Sequence, residues 1–169
     1  MKEAGKIGII GENYFGSWDK TRIACRGIVM EKGSILLSYE DRSDQWMIPG
    51  GGLESGEDER DCCIREISEE TGLVIEPSEC ILEIDEYYED CRYISRYYLG
   101  RITGKCERKL TAREREADLE ARWLKLEEIL EIFSRHAEYK ETDEMKRGIY
   151  LREHTALQAI LDNGYLNDL

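Results

Sequence analysis

The 169-residue sequence has only two prolines, Pro49 and Pro77, and only two histidines, His136 and His154. There is no Cys-x-x-Cys pair among its six cysteines, two of which are adjacent at Cys62 and Cys63, and the histidines lie far from them. A zinc site is therefore not expected, and the thiols read as reduced, mostly packing residues. Long apolar runs are also missing: nothing approaches the ~20 residues a membrane span needs, and the "IGII" before Glu12 is too short for a secretory signal. A protein away from the membrane, in the cytoplasm, is the expectation. Basic charge is scarce, with 24 Lys and Arg against 37 Asp and Glu and a net charge of -13, which speaks against a broad footprint on nucleic acid or acidic membranes. If the ligand is an anion, metal ions or a few local arginines must manage its charge.

What is present fits one compact domain over residues 1–169, long enough for a sizeable core and short for two. Residues 22–40 read as a strand hairpin with its turn at Lys32 and Gly33. Pro49 to Gly56 carries five glycines and prolines in eight residues, a loop by its turn chemistry. A helix of about four turns is expected from Asp58 to Thr71, stopped by Gly72. Further strands are expected at "LVIE", "CILEIDEYYED", "CRYISRYYLGRITG" and "ARWLKL", and helices at "EEILEIFSRHA" and from Thr142 to Asp162. The first 19 residues form an extension with two options, an edge strand or a partner contact. Residues 142–169 make a carboxy-terminal helix and tail that covers the sheet or supports a homodimer.

The segment "REISEETG", residues 65–72, crowds Glu66, Glu69 and Glu70 into two helical turns. Like charges at these spacings cost roughly 0.2–0.5 kcal/mol per pair on a solvated helix. Two carboxylates about 5 Å apart at an effective dielectric near 20 repel by about 3 kcal/mol, and a divalent cation reverses that sign. Oxygen ligands without a neighbouring histidine or cysteine favour magnesium or manganese over zinc or copper. Against this stands the plainer reading, a solvated acidic helix face.

The residues upstream decide between the two. From Gly51 the chain runs through five residues to Glu57, seven more to Arg65-Glu66-Ile67, one to Glu69-Glu70, and one to Gly72-Leu73. This matches every fixed position of the Nudix box, aliphatic positions included, so residues 51–73 resemble the Nudix hydrolase family. The resemblance implies an α/β fold, an α/β/α sandwich with a mixed β-sheet. It also implies metal-dependent hydrolysis of a nucleoside diphosphate linked to another group, by water attack on phosphorus. The metal ligands it implies are Glu66, Glu69 and Glu70, with Glu57 and the carbonyl of Gly50. Arg65, about 100° round the helix from Glu66, is assigned within the catalytic set to pairing with Glu57.

A carboxylate must also take a proton, and Glu69 competes for that role with Glu116 and Glu120 on a later loop and strand. Arg22 and Arg26, four apart on one strand face, are candidates for meeting phosphates. Tyr88 falls where relatives acting on dinucleoside polyphosphates tend to carry a tyrosine, and the region lacks the proline that ADP-sugar relatives tend to have. Trp123 is expected in the core. The expected partner is a nucleotide-derived small molecule, with no nucleic acid and no membrane. The competing function is a Nudix-fold module that senses a nucleotide without turnover.

Overall fold

The computed structural model describes residues 4–167; residues 1–3 of the amino-terminal extension and 168–169 of the tail lie outside it. The chain runs β1 (Gly5–Ile10), β2 (Lys20–Glu31), β3 (Ser34–Glu40), β4 (Gln45–Met47), β5 (Gly50–Gly52), α1 (Glu59–Thr71), β6 (Leu73–Tyr87) and β7 (Cys91–Lys105). It continues with α2 (Ala112–Glu116), β8 (Leu119–Lys125), α3 (Leu126–Ser134), a 3-10 turn over Arg135–Tyr139, and α4 (Glu144–Asp162). The sheet order is β1-β6-β7-β2-β3-β4, with β5 on β2 and β8 on β3. β1 runs parallel to β6 and β2 parallel to β7, while β6 and β7 are antiparallel, so the sheet is mixed as the family resemblance implied.

Alternation along the strands sends side chains to two cores. Cys25, Val29, Leu36 and Tyr98 pack with Cys62, Cys63 and Ile67 of α1 on one face. Ile28, Leu37, Ile84 and Tyr97 pack with Ile129 and Phe133 of α3 and Tyr150, Ala156, Leu157 and Ile160 of α4 on the other. Helices therefore cover both faces, and each fully buried side chain of this kind contributes roughly 1.5–3 kcal/mol. β2 contributes to both cores.

Several local expectations change. "LVIE" and "CILEIDEYYED" join into the single strand β6, because register shifts between Pro77 and Leu82 absorb a proline that would otherwise break the ladder. The expected helix at 127–137 ends at Ser134 and tightens into the 3-10 turn. Part of the amino-terminal extension forms the edge strand β1, and Tyr14 and Trp18 pack on Tyr87, with ring centroids 5.5 and 5.3 Å away, tying the following loop to the sheet. Trp123 is not core: it sits 38% exposed on β8, which among the described residues pairs with β3 alone and so lies at an edge.

Between the sheet and α4 lies a buried polar network. Glu153, with no exposed surface, accepts hydrogen bonds from the Ile48 amide at 2.6 Å, the Tyr97 hydroxyl at 2.7 Å and Arg152 Nε at 3.0 Å. Burial pushes the Glu153 carboxyl up, but Arg152, Arg26, Tyr97 and the Ile48 amide together hold it below its ordinary value of 4.5. A carboxylate with a lowered folded pKa stabilises fully above its unfolded value, and that contribution disappears as pH falls through the folded value. Glu153→Ala, which removes the nearer of two buried carboxylates beside Arg152 and leaves Glu86 at 3.7 Å, is expected to lower stability by about 3 kcal/mol near neutral pH. Urea unfolding of both proteins should show this difference, and the gap should narrow as pH drops below the ordinary carboxylate range.

Candidate functional site

The site begins where β5 is laid on the middle of β2, with Gly50 opposite Arg26 and Gly51 opposite Cys25. A Cβ on Gly50 would overlap the Cys25 carbonyl, and one on Gly51 would overlap the Glu66 carboxylate. Both positions need the missing side chain for close approach. The loop then reaches Asp58, whose carboxylate accepts from the amides of Arg60 and Asp61 and starts α1. Cys62, Cys63 and Ile67 anchor that helix in the core. Its carboxylates are left at the edge of the sheet.

Arg65 stands at the centre of those carboxylates. Its Nε donates to Glu57 Oε1 at 2.7 Å and its Nη2 to Glu57 Oε2 at 3.0 Å, a two-pronged pair across the loop. Nη1 donates to Glu66 at 2.8 Å and to Glu69 at 3.4 Å, and Nη2 also reaches the Gly52 carbonyl at 3.1 Å. The hydrogen bonds from Arg65 hold Glu57 below the ordinary carboxylate range, and those to Glu57 and then Glu66 raise the guanidinium. The guanidinium thus offsets much of the repulsion in "REISEETG". It does so for three carboxylates, where pairing with Glu57 alone was expected, because the arginine stem spans the angle between neighbouring helical positions.

Glu70 is different. It is buried, and accepts from Ser38 Oγ at 2.9 Å and weakly from the Gly50 amide at 3.4 Å. Burial pushes its carboxyl up to about 8; Glu114 and Glu66 add to the rise, and Ser38 and Arg26 oppose it. Glu66 is also raised, first by burial, with Glu69 and Glu114 contributing and Arg65 opposing. The carboxylate of α2 that bears on both is thus Glu114, whereas the sequence pointed to Glu116 and Glu120. Glu116 is exposed at the end of α2, and Glu120 is exposed and paired with Arg122 at 2.8 Å. The signal for Glu114 was local: Thr111 and Glu114 form a capping box, the Thr111 side chain accepting from the Glu114 amide and Glu114 from the Thr111 amide.

Among the described residues no three carboxylates converge on one point as a metal cage does, since Arg65 lies between Glu57, Glu66 and Glu69. The donor chemistry nonetheless fits a hard divalent cation. The candidate ligating atoms are all oxygens, and Glu66 and Glu70 are both raised, first by burial, so a cation there would relieve carboxylates held out of water. Glu66, Glu69 and Glu70 could hold such an ion, with Glu57 and the Gly50 carbonyl beside them.

The candidate substrate residues separate. Arg22 is exposed, but Arg26 is buried beneath the loop, where its Nη1 donates to the Ile48 carbonyl at 3.3 Å and its Nε to Ser95 at 3.5 Å. The two do not share one exposed surface, because the β4–β5 segment closes over the deeper arginine through Met47 and the Ile48 carbonyl. Tyr88 is half-buried and donates to Glu86 at 2.8 Å, its ring edge-on to Tyr93 at 5.9 Å.

This loop, helix and mixed sheet match a known family. The NUDIX domain profile covers residues 20–145, and the chain belongs to that family. It is 31% identical over 91 residues to an RNA pyrophosphohydrolase of Dinoroseobacter shibae, a match covering 50% of this chain; the chain spans 57% of that protein's length. It is 30% identical over 132 residues to a human diphosphoinositol polyphosphate phosphohydrolase, NUDT4B, covering 72% of this chain and 69% of that one. In fold it resembles a NUDIX hydrolase from Nitrosomonas europaea, with a TM-score of 0.55 and 23% identity over 64% of this chain and 74% of the other.

Because Glu66 occupies the space a side chain at position 51 would need, Gly51→Ala should displace that carboxylate while leaving α1 and the cores intact. Affinity for Mn2+, followed by the electron paramagnetic resonance of free ion, is expected to fall about tenfold or more with an unchanged circular dichroism spectrum.

Proposed function

We propose that the protein is a magnesium-dependent pyrophosphohydrolase that cleaves the pyrophosphate bond of a nucleoside diphosphate linked to another group. The observation that carries this reading is the carboxylate constellation of Glu57, Glu66 and Glu69 organised by Arg65 above the buried Glu70. Magnesium, with manganese as a substitute, would be held by Glu66, Glu69 and Glu70 beside Glu57 and the Gly50 carbonyl; there it supplies an acidified water and neutralises charge on the pyrophosphate. The chain's own residues do the rest. Arg65 keeps Glu57, Glu66 and Glu69 within one hydrogen-bonded set, so loop and helix stay in register. Gly51 leaves room for Glu66, and Ser38 orients Glu70. Glu69, 32% exposed in its side chain, can reach a water and accept its proton, and Glu114 on α2 is the competing base.

The relatives widen the substrate class. One is named for RNA and one for a polyphosphorylated inositol, so the group attached to the pyrophosphate need not be a small nucleoside. The net charge of -13 opposes a broad electrostatic footprint on nucleic acid, yet it does not oppose recognition of one terminal pyrophosphate. A nucleotide-sensing module is the second reading; it is favoured by the guanidinium that fills the space between the carboxylates.

With magnesium, a panel of nucleoside triphosphates, dinucleoside polyphosphates, nucleotide sugars, dinucleotide cofactors and 5′-triphosphorylated RNA is expected to yield a monophosphate product from at least one member. Glu69→Gln should lower kcat on that substrate by about 100-fold or more, whereas Glu116→Gln should leave it within a few-fold. Tight binding across the panel without product release would establish the sensing module instead.

A further inference from the structure

The end of the β7–α2 loop and α2 itself, residues 107–116, read "ERKLTARERE" and place Arg108, Lys109, Arg113 and Arg115 within eight residues of a chain that is otherwise strongly acidic. Arg108, Lys109, Leu110 and Arg115 line an open cleft of about 600 Å³. Arg113 is paired, its guanidinium 3.0 Å from Glu40. The other three are exposed, and among the described residues no ion pair joins any of them to a carboxylate. Their anchors are uncharged: Arg108 Nη1 donates to the Leu119 carbonyl at 2.9 Å and Arg115 Nη1 to the Leu110 carbonyl at 2.5 Å. These bonds fix the two arginine side chains against the cleft without neutralising them.

The cleft is tied to the carboxylate site by backbone. The Lys109 amide donates to the Glu69 carbonyl at 2.8 Å, and the Cys106 amide to the Gly72 carbonyl at 2.9 Å, so the basic loop is stitched along the last turn of α1. Glu114, which bears on Glu66 and Glu70, lies between Leu110 and Arg115 in sequence. With acidic residues in excess by 13, surface electrostatics alone would pair these cations with carboxylates. Three unneutralised cations around one concavity are instead arranged for an anion of multiple charge, and guanidinium forks suit phosphate.

We infer that this cleft binds a phosphate beyond the pyrophosphate that is cleaved, so that the preferred substrate carries at least one further phosphoryl group. The inference rests on the hydrolase reading for the word substrate, but not for the anion site itself. Two sources share this chemistry, a polyphosphorylated small molecule and the backbone of an RNA chain.

The test uses the full chain and two probes that contain no anhydride, inositol hexakisphosphate and a 5′-monophosphorylated hexaribonucleotide, with adenosine monophosphate as the single-phosphate control. Calorimetric titration should show both or one of the first two binding more tightly than the control, with affinity falling as salt rises. In the triple variant R108A/K109A/R115A that affinity should drop roughly tenfold or more and its salt dependence should flatten. The probe whose binding drops further identifies the source. Lys109→Glu, which alters one exposed side chain, should move the same way and guards against a folding defect in the triple variant. In turnover, the triple variant should lose kcat/KM on a substrate with a further phosphate and keep it on one without. Equal binding by wild type and both variants, or an equal fall in kcat/KM on both substrate kinds, would overturn the inference while leaving hydrolysis standing. Variant-sensitive binding with no hydrolysis of any panel member would support the cleft and remove the hydrolase reading.

Discussion

Charge repulsion among carboxylates is the constraint around which this molecule is arranged. Glu57, Glu66 and Glu69 share one guanidinium, that of Arg65, and each contact ties a different piece of chain: the loop through Glu57 and Gly52, the helix through Glu66 and Glu69. The arrangement is stable only because α1 is held rigidly by Cys62, Cys63 and Ile67 in the core below. Glu70, turned inward on the same helix, has no such partner and responds by holding its proton more tightly. Two neighbouring glutamates thus have different surroundings, Glu69 on the guanidinium and Glu70 under the sheet, decided by which side of the helix each occupies.

The opposite face of the sheet meets a similar problem differently. Glu153 and Arg152 are adjacent in sequence and both buried, and their mutual attraction is supplemented by Tyr97 and the Ile48 amide. The Ile48 amide lies two residues before Gly50, so the network that seats α4 also holds the entrance of the glycine-rich loop. Packing of the carboxy-terminal helix and geometry of the site are therefore parts of one hydrogen-bonded system.

Much of this was legible in the residue order because its causes are local. The cap at Asp58 and the stop at Gly72 bound α1 to within one residue of the expected span, and the spacing of Glu57, Glu66, Glu69 and Glu70 carries the family resemblance. The residues that escaped are those whose surroundings come from distant chain. Strand alternation told that Arg22 and Arg26 share a side, but not that Met47 and Ile48 close over the second. Trp123 looks like a core residue until β8 is known to lie outermost on its side of β3. Glu114 was hidden because its position depends on backbone bonds from the loop to the end of α1, which no periodicity encodes.

The three-residue strand β5 has a consequence for how such a chain can diversify. It is clipped to β2, and β2 is the one strand bonded to β7, β5 and β3 alike. Insertions or rearrangements at the outer strands can reshape the surface of the molecule without shifting the scaffold on which Gly50 and Gly51 sit. The carboxylate cluster is thereby separated from variation at the outer strands, the first seated against a strand clamped by three neighbours and the second free to drift along the margins.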